Sequence, residues 1–151
     1  MKKITLNVDA REVTGEEGMT ILQVARRAGI GIPTLCYHEK LEPYGACRLC
    51  LVEIGTPPRT RLVASCVYPV ADGLVVKTRS ERVIQTRKML LELLLARAPG
   101  AKIIKDLAEE YGVTKARLRK TATFCILCGL CVRYCAEIKK ADAIGFIGRG
   151  I

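Results

Sequence analysis

The sequence has no tryptophan and a single histidine, His38, among its 151 residues. One histidine excludes any metal centre that requires two imidazoles, a Rieske-type site included, and leaves His38 as a solvent-facing loop residue. No glycine-rich dinucleotide loop, flavin signature or nucleophile–base pair is visible, so the chain itself is not expected to turn over a substrate. Long apolar runs are missing as well. The longest, around Met89 to Ala96, is short and contains Glu92, and it cannot span a bilayer. Met1-Lys2-Lys3 leads straight into a strand pattern with no signal-peptide core, which points to a cytoplasmic protein whose thiols stay reduced. Acidic residues are outnumbered, 15 against 25 Lys and Arg, for a formal charge of +10. That balance reads either as a merely soluble basic surface or as one that meets an acidic partner, an acidic protein surface being expected over nucleic acid. What the chain does have is 50% apolar residues, enough for a folded core in one domain or two small ones, and eight cysteines.

Four of the cysteines form the stretch around which the chain is organised. Cys36, Cys47, Cys50 and Cys66 are spaced Cys-x10-Cys-x2-Cys-x15-Cys, with Tyr44-Gly45-Ala46-Cys47-Arg48-Leu49-Cys50 at the centre. A tight Cys-x-x-Cys pair beside a glycine, flanked by two outer thiols, suits a [2Fe–2S] cluster held in a loop, because each iron needs two thiolates. Zinc also takes four thiolates, but its usual signature is two short knuckles and only one is present. Disulfides would suit a small secreted protein rather than this one. Gly45 serves either as an ordinary turn residue or as the place where the backbone wraps too closely around sulfide to admit a Cβ. The amides of Gly45, Ala46, Arg48 and Leu49 are the candidate donors to cluster sulfur.

These residues resemble the [2Fe–2S] domain of two related groups, the large iron–sulfur subunit of NADH:quinone oxidoreductase and the electron-transfer subunits of NAD-linked hydrogenases and formate dehydrogenases. The order of elements agrees with that resemblance. Ile4 to Val8 and Arg11 to Val13 alternate as a β-hairpin, and Thr20 opens a helix through a Thr20-x-x-Gln23 capping box. Ile21, Val24, Ala25 and Ala28 share one face of that helix, and Gly29 stops it. Strands at Leu51 to Ile54 and Leu74 to Lys77 follow, with turns at Pro57-Pro58 and Asp72-Gly73. The expected fold class is therefore α+β: a β-grasp, ferredoxin-like domain over residues 1–79, a helical linker over 80–120, and an incomplete [4Fe–4S] segment over 121–151.

Within the linker, Ser80 caps a helix with Glu81 in its first turn, and Val83, Ile84, Leu90, Leu91 and Leu94 form an apolar stripe edged by a basic face. Pro99-Gly100 ends it. A second amphipathic helix carries Ile103, Ile104, Leu107, Ala108 and Tyr111, with Gly112 as terminator. The NADH:quinone oxidoreductase subunit continues from this point with one histidine and three cysteines for a [4Fe–4S] cluster. Here Ala98-Pro99-Gly100 follows Arg97 and no cysteine appears before Cys125, so that cluster is expected to be absent. Residues 104–120 also carry an alternative reading, a helix-turn-helix whose second helix, Lys115 to Lys120, would enter a DNA groove in a redox-sensing regulator.

The second motif is Cys125-Ile-Leu-Cys128-Gly-Leu-Cys131-Val-Arg-Tyr-Cys135. It follows the bacterial ferredoxin run, in which three thiolates clasp one [4Fe–4S] cube and the fourth cysteine, usually before proline, reaches a neighbouring cube. Ala136 stands in place of the proline. The run resembles the hydrogenase and dehydrogenase electron-transfer subunits, which add a second cysteine-rich run further on. Three outcomes are open: the sequence is a fragment, which we expect, a partner completes the site, or Cys135 closes the local cube. The resemblance implies an iron–sulfur electron-transfer subunit, itself non-catalytic, within a multi-subunit NAD-linked oxidoreductase. It also implies [2Fe–2S] and [4Fe–4S] cofactors, and two kinds of partner: a flavoprotein NAD(H)-binding subunit and a hydrogenase or dehydrogenase catalytic subunit.

Overall fold

The structure, a computed structural model, describes residues 2–118 and 123–148. The chain opens with β1 (Lys3–Val8) and β2 (Arg11–Glu16), paired antiparallel from Val8↔Arg11 to Lys3↔Glu16. The turn between them is Asp9-Ala10, with both φ values positive at 50° and 65°. That is the mirror-image turn whose twist matches a hairpin. Asp9 spends its carboxylate on a second task, accepting from the amide and the hydroxyl of Thr78 at the far end of the domain.

Helix α1 (Ile21–Arg27) starts at the expected capping box: the Thr20 amide donates to Gln23 Oε1 at 2.8 Å and the Gln23 amide to Thr20 Oγ1 at 3.3 Å. Gly29, in the left-handed region at φ 72°, ends it. The helix lies close to β2, where a Cβ on Gly15 would meet Val24 Cγ2 at 2.5 Å. After a long irregular loop come β3 (Leu51–Thr56), β4 (Arg59–Ala64) and β5 (Val75–Lys77). The sheet order is β2-β1-β5-β3-β4, with β5 parallel to β1 and antiparallel to β3. Alternate residues Ile4, Leu6 and Val8 of β1 meet Ile21, Leu22, Val24 and Ala25 of α1 in the core, together with Val52, Ile54 and Val76. Each large apolar side chain buried there contributes on the order of 1.5–3 kcal/mol. Strand β4 is absent from the sequence expectation. It is an edge strand, and Arg59 and Arg61 point outward from it.

A second core joins α2 (Glu81–Arg97) and α3 (Lys102–Glu110) to the irregular loop: Leu91, Ile104 and Tyr111 pack with Leu35 and Leu49. Ser80 Oγ accepts from the Val83 amide at 3.3 Å to cap α2. Gly112, at φ 68°, closes α3, and the Val113 amide reaches back to the Ala108 carbonyl at 2.7 Å. Among the described residues no helix is long and apolar enough to cross a membrane.

The alternative reading, a DNA-reading helix over Lys115 to Lys120, finds no support over the described residues. Residues 113–118 are not helical, and Arg119 and Lys120 lie outside the described residues. The physical cause is Glu92 of α2, whose carboxylate accepts from the Arg117 amide at 2.7 Å, from Nε at 2.8 Å and from Nη2 at 2.9 Å. A segment tied back onto α2 in this way presents no second helix over its described part to a groove.

Candidate metal centres

Three of the first four thiols are buried and Cys47 is half-buried. The α1–β3 loop carries Cys36, Cys47 and Cys50, and Cys66 follows β4. Ser65 joins the two ends of the site. Its amide and hydroxyl both donate to the Cys50 carbonyl, at 3.2 and 2.8 Å, while its own carbonyl accepts from the Leu22 amide of α1 at 3.0 Å. Cys50 Sγ and Cys66 Sγ consequently lie 3.4 Å apart. On the other side the Cys47 amide donates to Cys36 Sγ at 3.4 Å. The four thiols thus form two pairs, Cys36 with Cys47 and Cys50 with Cys66. Among the described residues no three metal-ligating side chains converge on a point where one ion would sit. Two thiolates on one tetrahedral metal stand about 3.8 Å apart if each bond is about 2.3 Å, close to the 3.4 Å between Cys50 Sγ and Cys66 Sγ. The donor set fits a binuclear centre that takes two thiolates on each metal.

Each pair holds one proton more tightly than the other. The hydrogen bond from the Cys36 thiol brings Cys47 below the usual thiol range, helped by the amides of Leu35, Leu49 and Cys36, and Cys36 is pushed up by the same bond and by burial. Cys50 is lowered by its bond with Cys66, which is raised in turn by that bond and by desolvation. Thiolates are the ligating form. Of the four amides singled out from sequence, Ala46 acts on Cys36 and Leu49 on Cys47. The amides of Gly45 and Arg48 are not among these contacts. Both residues supply the left-handed backbone that turns the loop, at φ 67° and 58°. What crowds Gly45 is Val67, whose Cγ1 would lie 3.3 Å from an added Cβ. His38 is exposed and its Nδ1 accepts from the Lys40 amide at 3.2 Å.

Sequence reasoning missed the residue beneath this loop. Arg87 of α2 is 1% exposed, and its Nε and Nη2 donate to the carbonyls of Leu49 (2.9 Å) and Leu51 (2.7 Å), on either side of Cys50. Its Nη1 donates to the Tyr111 hydroxyl at 3.0 Å. A signal was present: Val83, Arg87 and Leu91 recur at every fourth position, which puts the arginine on the buried stripe.

The second cysteine set is built differently. Cys125 and Cys128 lie in irregular chain, Cys131 on the short helix α4 (Leu130–Arg133), and Cys135 in the π-helical turn Tyr134–Ile138 that continues it. Leu127 and Gly129, at φ 54° and 74°, coil the chain into that helix. Cys125 and Cys131 are exposed, and Cys135 Sγ accepts from the Ala143 amide at 3.3 Å. As in the first set, no three of these thiols converge on a point where one ion would sit.

It does hold the segment against the first site. Arg133 donates to the carbonyl of Cys36 at 3.3 Å and to that of Glu42, and stacks 5.0 Å from the Tyr44 ring. Its Nε pairs with Glu137 at 3.0 Å, and Glu137 accepts from the Glu42 amide at 2.9 Å. Both Arg133 and Glu137 went unnoticed in the sequence, where nothing local announces a contact across 97 positions.

Comparison with known proteins adds the family. Residues 1–81 match the family described as 2Fe-2S iron-sulfur cluster binding domain, a span that contains Cys36, Cys47, Cys50 and Cys66. The 78 kDa subunit of mitochondrial NADH-ubiquinone oxidoreductase from Candida albicans is 33% identical over 99% of this chain and 24% of its own length. The 75 kDa subunit of NADH-ubiquinone oxidoreductase from Reclinomonas americana is 34% identical over 97% of this chain and 25% of its own length. The chain therefore spans about a quarter of the length of these relatives. A chain in the crystal structure of an NAD+-reducing [NiFe]-hydrogenase in its H2-reduced state superposes with a TM-score of 0.84 at 32% identity, covering 97% of this chain and 71% of that one. Matched over more than half its length, the chain belongs to the 2Fe-2S iron-sulfur cluster binding domain family.

Proposed function

We propose that this chain relays single electrons between two iron–sulfur centres within an NAD-linked multi-subunit oxidoreductase of the hydrogenase, formate dehydrogenase or NADH dehydrogenase type. Residues 1–79 hold a [2Fe–2S] centre through Cys36, Cys47, Cys50 and Cys66. Residues 80–120 act as a helical brace, and 121–151 supply Cys125, Cys128 and Cys131 to a [4Fe–4S] centre, with Cys135 serving a different cube. When bound, such centres supply one-electron oxidation and reduction. The protein residues do the rest: the thiol pairs give two ligands per iron, the amides of Ala46, Cys47 and Leu49 stabilise thiolate charge, and burial keeps water from the first site. Partners in this reading are a flavoprotein NAD(H)-binding subunit and a hydrogenase or dehydrogenase catalytic subunit, met through the basic surface in the cytoplasm.

The observation that carries the reading is the Arg133 contact, by which a residue lying between Cys131 and Cys135 grips the carbonyl of Cys36. Two isolated metal sites would not need to be clasped ligand loop to ligand loop. Rapid-freeze EPR of the anaerobic protein, mixed with less than one equivalent of reductant, tests it. An electron entering at either centre should appear at the other, and two centres that reduce independently without exchange would refute the relay.

A further inference from the structure

Arg87 is a full positive charge at 1% exposure, and among the described residues no carboxylate lies within ion-pair distance of it. Burying a guanidinium is costly unless an anion compensates it. Its three hydrogen bonds go to neutral acceptors, two backbone carbonyls and a phenol. Those acceptors do not balance the charge, yet their position is informative. Leu49 and Leu51 flank Cys50, one of the four thiols of the first site.

We infer that Arg87 is the buried counter-charge of the [2Fe–2S] site, a positioning residue that raises the reduction potential of that centre by favouring its reduced form. The inference rests on the proposed [2Fe–2S] reading. A four-thiolate binuclear iron centre is anionic when oxidised and gains a further negative charge when one electron enters, with no bond made or broken. A fixed cation behind one ligand loop, shielded from water, stabilises the more negative state more than the less negative one, and net charge is among the terms that set such potentials. The same guanidinium binds α2 and, through Tyr111, the end of α3 to the loop, so the brace and the tuning charge are one residue.

EPR-monitored redox titration of the anaerobic 151-residue protein, with iron and sulfide measured on each sample, tests this. Arg87→Gln removes the charge and keeps a donor, Arg87→Lys keeps the charge, and Tyr111→Phe removes one hydrogen bond without touching charge. The expected pattern is a lower midpoint for the [2Fe–2S] signal in Arg87→Gln, with Arg87→Lys and Tyr111→Phe near the wild type. An unchanged midpoint in a fully loaded Arg87→Gln protein would overturn the inference. If Arg87→Gln fails to assemble, Arg87→Lys decides: a wild-type midpoint supports the charge, and a fall in midpoint despite the retained charge overturns it. A wild-type protein with no [2Fe–2S] signal at all would count against the reading beneath, separately from the role of Arg87.

Discussion

The two cysteine sets hold the same number of thiols in opposite settings. The first is mounted on a frame: α1, the end of β4 and α2 each fix part of its loop through Leu22, Ser65 and Arg87, and three of its four thiols are buried. The second is mounted on one turn of helix and a π-helical turn, with Phe124 79% and Phe146 53% exposed beside it. A site whose ligands are locked by surrounding packing is organised before metal arrives, whereas one on a lightly anchored segment depends on what holds that segment down. Here the polar hold is the clasp of Arg133 with Glu137 and Tyr44, beside the packing of Ile126 against the second core and of Phe124 against Gly100.

The largest difference should appear in packing. Leu22→Ala, at a position with no exposed surface, should cost about 2–5 kcal/mol in urea unfolding, whereas Phe124→Ser in the second region should stay within about 0.5 kcal/mol. Equal costs would mean that the two regions are supported alike. Next comes the clasp. Arg133→Ala should release about 1.5–3 kcal/mol of docking, seen as faster amide exchange over residues 123–148 with the β-sheet unchanged. Exchange that rose across the whole chain would show the clasp to be part of the main fold instead.

These contrasts also explain what the sequence could show. The hairpin, the capped α1, the Gly29 stop and the Ser80 cap are local signals, and each is found where the pattern places it. Strand β4 was invisible because an edge strand needs few apolar residues and this one starts with Arg-Thr-Arg. Cysteine spacing indicated a four-thiol site, but the pairing of Cys50 with Cys66 depends on Ser65, whose hydroxyl is unremarkable in the sequence. Arg87 was hidden by the habit of placing charge outside, although its spacing from Val83 and Leu91 argued otherwise. The misplaced second helix at Lys115 had good local propensity, and a carboxylate 25 positions earlier overrode it.

That last contact gives the smallest expected effect. Arg117 holds the Glu92 carboxyl down to about 2, below its ordinary 4.5. A depressed carboxyl contributes stability that is present above the unfolded value and lost as pH falls through the folded one. Protection of the Arg117 amide should therefore fade between about pH 4.5 and 2, and Glu92→Gln should remove that dependence. A pH-independent amide in the wild type would mean that the pair does not hold the segment.

The central claim is that the first four thiols hold a binuclear iron centre independently of the second set. Iron and acid-labile sulfide analysis with EPR of the dithionite-reduced, anaerobically purified protein tests it most directly, using Cys47→Ser and Cys125→Ser side by side. The account predicts a [2Fe–2S] signal in the wild type that disappears in Cys47→Ser and persists in Cys125→Ser. Bound zinc without sulfide, or a [2Fe–2S] signal that survives Cys47→Ser, would contradict it.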